Sequence, residues 1–315
     1  MIKNSPLISI LMNCFNGEKF LREAIESVIC QTYENWELIF WDNQSTDSSA
    51  KIFLEYKDSR LKYFYAQKHT NLGDARIEAI KKVKGSWVGI LDVDDIWLKK
   101  KLEYQIEVLN KFNDDDSKLG IVYGKVIEIN EAGMELGELA HSLYRDKELP
   151  SGVILKELLL NGNFIMSPSI LFSQEAFIKI GGFPIGFLNA SDYYITCAIS
   201  SHYSVGVVNK YVAKYREHKN NLTLSQKVTA YEEQLIIFNK WNTSIDLTNI
   251  EKKSRIRELK VMIAFMEIKY KNNFKRGLGI ILSRGSFLLA IKLAFHHFIR
   301  KKEHRKSANE NFESL

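Results

Sequence analysis

Trp87-Val88-Gly89-Ile90-Leu91-Asp92-Val93-Asp94-Asp95 is the stretch on which the reading turns. An apolar run ends in three carboxylates within four positions, and bare charges so placed repel one another. A divalent cation removes that repulsion. Hard oxygen ligands suit Mg2+ or Mn2+, held through one or two carboxylates plus substrate phosphates. The competing reading is a solvated turn that caps the next helix, where Asp is common. Asp114-Asp115-Asp116 serves as an internal control: no apolar strand precedes it, and it reads as a solvated loop.

Outward from this stretch, two periods alternate. Leu7–Met12 is a continuous apolar run, as expected for a strand buried on both faces of a parallel sheet. Glu18–Cys30 carries Phe20, Leu21, Ile25, Val28 and Ile29 on one helical stripe. Trp36–Trp41 is the next strand, and Ser45-Thr46-Asp47 supplies capping residues for a helix to about Tyr56. Leu61–Ala66, Leu72–Val83, Trp87–Leu91 and Leu98–Phe112 continue the strand–helix alternation. Such alternation implies right-handed crossovers and an α/β fold with a mostly parallel sheet. Ligands in such sheets sit at the carboxyl ends of the strands, which gathers Asn13–Asn16, Asp42–Asp47 and Asp92–Asp95 on one rim. Beyond residue 115 the pattern loosens. Strands are expected at Ile121–Ile129, Ile165–Phe172 and Val205–Tyr215, and helices at Gly152–Leu160, Gln174–Ile180, Asp192–Ser200 and from Ser225 onward.

Composition excludes several classes. The chain has 315 residues, 45% hydrophobic and 26% charged, with a net charge of +6, which is ordinary globular composition for about two domains. Cys14, Cys30 and Cys197 form no CxxC pair, which excludes a disulfide scaffold and a cysteine zinc site and fits a reducing cytosol. The first thirteen residues read as a strand rather than a secretory signal. The longest near-apolar window, Gly277–Ile299, contains Arg284 and Lys292, so no spanning helix is expected. Walker A, HExxH, GxSxG and complete dinucleotide signatures are absent, and no nucleic-acid partner is expected.

In this order the motifs resemble those of the inverting, family-2 nucleotide-sugar glycosyltransferases of the GT-A fold. The similarity runs through Ile8–Gly17, Ala24–Val28, Gln31-Thr32-Tyr33, the loop Trp41–Asp47, the segment Asn71-Leu72-Gly73-Asp74-Ala75-Arg76, and Asp92-Val93-Asp94-Asp95. It is close over about residues 5–100 and looser to about 225. The resemblance implies that Phe15 stacks on a uracil ring, that Asn16 lines the donor pocket, and that Asp42 accepts from a pyrimidine N–H, an Asx turn being Asp42's alternative role. It implies that Arg76 and Asp92 hold the donor, and that Asp94, with Asp95, binds Mn2+ or Mg2+. In Tyr215-Arg216-Glu217-His218, an extended backbone points Arg216 and His218 to the same face. One would reach the diphosphate and the other would complete the metal's coordination, Arg216 being assigned to the nucleotide-sugar and His218 to the metal.

There are departures from the family pattern. Asn13-Cys14-Phe15-Asn16 stands where the family has Pro-Thr-Tyr-Asn, Asn43 replaces the second Asp of its loop, and Ile77 replaces a common Asn. The acidic pair that opens a helix after a Gly-Gly-Phe turn is here Ser191-Asp192, which leaves Asp192 as the expected catalytic base. A helix amino terminus lowers a carboxylate's pKa and weakens it as a base unless burial raises it again.

The reading is therefore a GT-A catalytic domain over residues 1–225 and a helical extension over 226–315. The expected activity is metal-dependent, inverting transfer from a UDP-sugar to a saccharide or lipid-linked saccharide hydroxyl in cell-surface polysaccharide assembly. A degenerate sugar-nucleotide-binding module and a sugar nucleotidyltransferase are the rivals; the latter lacks its glycine-rich basic loop at Asn13–Gly17. From Lys271 to Lys306 ten basic residues face one acid, Glu303, and Lys292, His296 and Arg300 recur at helical spacing. That tail is expected to pack on the domain or to lie on an anionic membrane surface, making the protein cytoplasmic and peripheral.

Overall fold

The computed structural model describes residues 5–112, 118–139, 144, 147–221 and 226–271. The chain divides into two compact units, Met1–Glu217 and His218–Leu315, where the sequence reading drew its boundary after 225. Asp114–Asp116 and the basic tail beyond Lys271 lie outside the described residues.

The first unit begins with β1 (Ile8–Cys14), α1 (Leu21–Ile29), β2 (Trp36–Asp42), α2 (Ser49–Glu55), β3 (Leu61–Tyr65), α3 (Leu72–Ala79) and β4 (Trp87–Ile90). It continues with β5 (Ile96–Trp97), α4 (Lys101–Phe112), β6 (Leu119–Ile129), β7 (Glu135–Glu138), α5 (Leu155–Asn161), β8 (Leu171–Ser173), α6 (Gln174–Lys179), α7 (Ser191–Ser200) and β9 (Ser204–Arg216). The second unit contributes α8 (Lys227–Trp241) and α9 (Asn249–Lys271), whose mutual core includes Val228, Ile263 and Met266.

Among the described residues one nine-stranded sheet runs β3-β2-β1-β4-β8-β6-β9-β5, with β7 on β6. The first four strands are parallel, with Ile10 opposite both Leu38 and Gly89. Every residue of β1 and β2 is buried, and two polar residues among them pair, Ser9 Oγ donating to Glu37 Oε1 at 2.6 Å. Past β4 the sheet becomes mixed: β8 is antiparallel to β4 and β6, while β9 is parallel to β6. Helix α1 presses Leu21, Ala24, Ile25 and Val28 onto the core.

Two expectations are corrected. The run Ile165–Phe172 is not one strand: a 3-10 turn occupies Ser167–Ser169, and pairing begins only at Leu171. Pro168 causes this, since proline fixes φ and offers no N–H to a ladder. Strands β5 and β7 were not expected at all; β5 has only two residues, too few for any period to show.

A buried amine ties the mixed half together. Lys101 and Gln105, one turn apart on α4, are both fully buried. The Lys101 Nζ donates to Gln105 Oε1 (2.6 Å) and to the Ser169 carbonyl (3.1 Å), and Gln105 Nε2 donates to Val122 and Ser169 carbonyls. Burial pushes the Lys101 amine well below its ordinary range. Among the described residues no helix is long and apolar enough to cross a membrane.

Candidate active site

The parallel order β2-β1-β4 brings three strand ends to one edge, with Cys14 opposite Asp42 and Leu11 opposite Ile90. The loops beyond them interlock. Asn16 adopts a left-handed backbone (φ 53°), a conformation Asn tolerates, and its Oδ1 accepts from the Thr46 N–H at 2.8 Å. A Cβ on Gly17 would sit 2.8 Å from Val93 Cγ2, so the first loop rests directly on the acidic one. Asp42 is wholly buried, and its two oxygens accept from the Ser45 N–H and the Tyr63 O–H, each at 2.7 Å. Burial and the Asp42 carboxylate push the Tyr63 phenol up. Phe15 is half exposed on this rim, its ring 4.3 Å from that of His69.

The acidic loop is held from two sides. Arg76, buried on α3, donates from Nη2 to both oxygens of Asp92 (2.9 and 3.2 Å) and from Nη1 to Ser191 Oγ (3.3 Å). Arg216 is 1% exposed. Its backbone N–H donates to Asp95 Oδ1, its Nε to the Asp94 carbonyl, Nη1 to the Glu131 carbonyl and Nη2 to Glu23. Its guanidinium also lies 4.5 Å from the centre of the Phe20 ring.

Asp95 fits a cation-binding role. It is buried, and its Oδ2 has no hydrogen-bond partner. Burial, then the charges of Asp94 and Asp92, push its carboxyl well above the usual range. Such a group gains most from a positive charge brought beside it. Among the described residues no three His, Cys, Asp or Glu side chains converge to hold a metal ion.

Asp192 sits in the first turn of α7, partly exposed at the site. Burial raises its carboxyl above the ordinary range; the Arg76 charge and the Tyr193 N–H pull the other way, and Asp92 adds to the rise. Asn163 Nδ2 donates to its Oδ2 at 3.3 Å. The loop leading into α7 leans on α3, where a Cβ on Gly73 would lie 2.2 Å from the Phe187 carbonyl oxygen.

Phe15, Asn16, Asp42, Arg76, Asp92, Asp94, Asp95, Asp192 and Arg216, all expected from sequence, lie in the first unit. Within it, Arg76 joins Asp92 to the helix of Asp192, and Arg216 joins Asp94 to Asp95. His218 opens the second unit, where its Nδ1 accepts from the Asn220 N–H. Four contributors were not expected from sequence: Tyr63, His69, Asn163 and Glu23. None of the four stands in a motif of the sequence.

The family profile described as Glycosyl transferase family 2 matches residues 9–181. The uncharacterized glycosyltransferase RT0329 of Rickettsia typhi is 33% identical over 229 residues, a match spanning 70% of this chain and 66% of the relative. The Escherichia coli protein WfgD, named a UDP-Glc:alpha-D-GlcNAc-diphosphoundecaprenol beta-1,3-glucosyltransferase, is 29% identical over 69% of this chain and 79% of its own. Staphylococcus aureus TarS 1-349, solved in complex with UDP-GlcNAc, superposes with a TM-score of 0.62 at 15% identity, covering 98% of this chain and 92% of that one. At that identity the likeness speaks for the fold. The family profile spans more than half of the chain, and the protein belongs to glycosyl transferase family 2, with the GT-A-type sheet its acidic strand end pointed to.

Proposed function

We propose that the protein transfers a sugar from a UDP-linked donor to a saccharide hydroxyl, with inversion at the anomeric carbon. The observation that carries this reading is that Arg76 donates hydrogen bonds both to Asp92 on the acidic loop and to Ser191 beside Asp192. One side chain sets the distance between a donor-side loop and a base. Asp192 takes the acceptor's hydroxyl proton as that oxygen bonds to the anomeric carbon. The bond from this carbon to the diphosphate oxygen breaks on the opposite face. Asp94 and Asp95 would hold Mn2+ or Mg2+, which when bound neutralises charge on the departing diphosphate. Arg216 keeps that loop in shape through the Asp94 carbonyl and the Asp95 carboxylate. The name of WfgD supports a UDP-sugar donor and a lipid-diphosphate-linked acceptor, and the name of Bacillus subtilis TuaG, a putative teichuronic acid biosynthesis glycosyltransferase, supports a role in polysaccharide assembly.

The test is UDP release from a panel of UDP-sugars with and without saccharide acceptors, beside thermal unfolding with UDP. UDP is expected to raise Tm only when Mn2+ or Mg2+ is present, because acidic loop and diphosphate otherwise repel. Asp94→Asn is expected to remove both effects. Release that never depends on acceptor, or UDP stabilisation equal in EDTA, would overturn the reading.

A further inference from the structure

We infer, resting on the transferase reading above, that Asn163 is a positioning residue for the base: its amide holds one carboxylate oxygen of Asp192 and leaves the other to take the acceptor's proton.

Asn163 stands just past α5. The helix ends at Asn161, and Gly162 takes a left-handed backbone (φ 87°) that turns the chain away from the helix axis. The Gly162 N–H donates to the Leu158 carbonyl at 2.9 Å, and the Tyr193 hydroxyl donates to the same oxygen at 2.7 Å. The end of α5 is thereby fastened to the first turn of α7, where Asp192 stands. On the other side of Asn163, Phe164 and Ile165 are both buried. Anchored backbone on either side presents the amide to the base.

The partners of the amide fix its orientation. Oδ1 accepts from the Ile165 N–H at 3.2 Å, and Nδ2 donates to Asp192 Oδ2 at 3.3 Å. A reversed amide would set its NH2 against an N–H and its oxygen against a carboxylate, so one orientation alone satisfies both ends. Among the described residues no other side chain donates to the Asp192 carboxylate. Arg76 of α3 acts on it through charge, its own hydrogen bonds going to Asp92 and Ser191, and Asp92 of the acidic loop acts in the opposite sense.

A carboxylate has two equivalent oxygens and turns about its last bond. A donor on Oδ2 ends that freedom and leaves Oδ1 for the proton. A neutral amide does so at small cost in basicity, whereas a cation in its place would favour the charged form more and weaken the base.

The full chain is compared as wild type, Asn163→Ala, Asn163→Asp, Asp192→Asn and the double variant of Asn163→Ala with Asp192→Asn. UDP release is followed with the UDP-sugar and acceptor that give the fastest release in the panel above. Asn163→Ala is expected to lower kcat by about 10-fold, with the affinity for UDP in Mn2+ unchanged. Added to Asp192→Asn, the same substitution is expected to cost less than about 2-fold more, since the base it orients is gone. Carbon NMR of labelled aspartate carboxyls, with Asp192 identified by its missing signal in Asp192→Asn, reads the base directly. Its titration is expected to move up in Asn163→Ala, because a donor to the charged form has been lost. It is expected to move up further in Asn163→Asp, which still accepts from the Ile165 N–H, cannot donate, and adds a repelling charge. This isosteric variant carries the test even where Asn163→Ala fails to fold. An Asp192 titration unmoved by either substitution would overturn the inference and leave the transferase reading intact. So would equal losses from Asn163→Ala on wild type and on Asp192→Asn. Undiminished turnover in Asp192→Asn would overturn the base itself, and the role of Asn163 with it.

Discussion

At Asp192 two opposing effects meet. The first turn of a helix favours a carboxylate's charge, and the neighbouring Arg76 adds to that; burial disfavours it and prevails. A base poised this way is stronger than an exposed aspartate. As the proposed base it would work deprotonated, so kcat/KM is expected to fall as pH drops through its raised pKa. The acid limb of the pH–rate profile is expected above the ordinary aspartate value of about 3.9. Asp192→Asn, which keeps shape and cannot take the proton, is expected to lower turnover by about 10²-fold or more with UDP affinity retained. An acid limb at the ordinary value, together with near-normal turnover of the variant, would place the base elsewhere. Its place after the Gly181-Gly182-Phe183 turn singled Asp192 out in the sequence as the expected base. Its electrostatics were not, because desolvation is set by packing from distant segments.

Helix α3 is the element on which both sides of the site lean. Asn71 caps it by accepting from the Asp74 N–H at 2.9 Å, and its buried face carries Gly73, Ala75, Arg76 and Ala79. Gly73 is required by close approach, since any side chain there meets the Phe187 carbonyl. Gly73→Ala is expected to push back the 184–190 segment and the base helix behind it. Misplacing a catalytic group by about 1 Å costs on the order of 10²-fold, so transfer should fall by about that factor. UDP binding should change little. Steady-state kinetics beside UDP titration checks this; equal losses in both would mean that α3 itself has been disrupted. The helix was readable from its place in the strand–helix alternation. Its partner across more than a hundred residues was not, because a glycine's neighbour is a tertiary fact.

For the whole molecule, charge is the uneven quantity. The tail from Lys271 to Lys306 holds ten basic residues and one acid, a surplus larger than the chain's net +6. We propose that it binds anionic lipid, at about 1 kcal/mol per basic residue near the surface. Flotation with anionic and neutral liposomes, comparing the full chain with one ending at Tyr270, is expected to give anionic-selective binding. That binding should weaken with salt and vanish on truncation. Failure of the full chain to float at low salt with anionic lipid would end the membrane proposal.

Sequence alone determined the parallel half of the sheet, the rim of Asn13–Asn16, Asp42–Asp47 and Asp92–Asp95, and the family. These are matters of local period and of motifs within a few residues, which burial on both faces of β1 and β2 writes directly into composition. Tertiary structure alone decided who partners whom. Nothing in Lys99-Lys100-Lys101 sets its third lysine apart, yet Lys101 is buried against Gln105 and the Ser169 carbonyl. Arg216 reads as a diphosphate ligand, yet its donors are committed to Asp94, Glu131 and Glu23. A side chain's pairing depends on which distant backbone and carboxylate groups the fold brings within hydrogen-bond reach, and no window of sequence contains them.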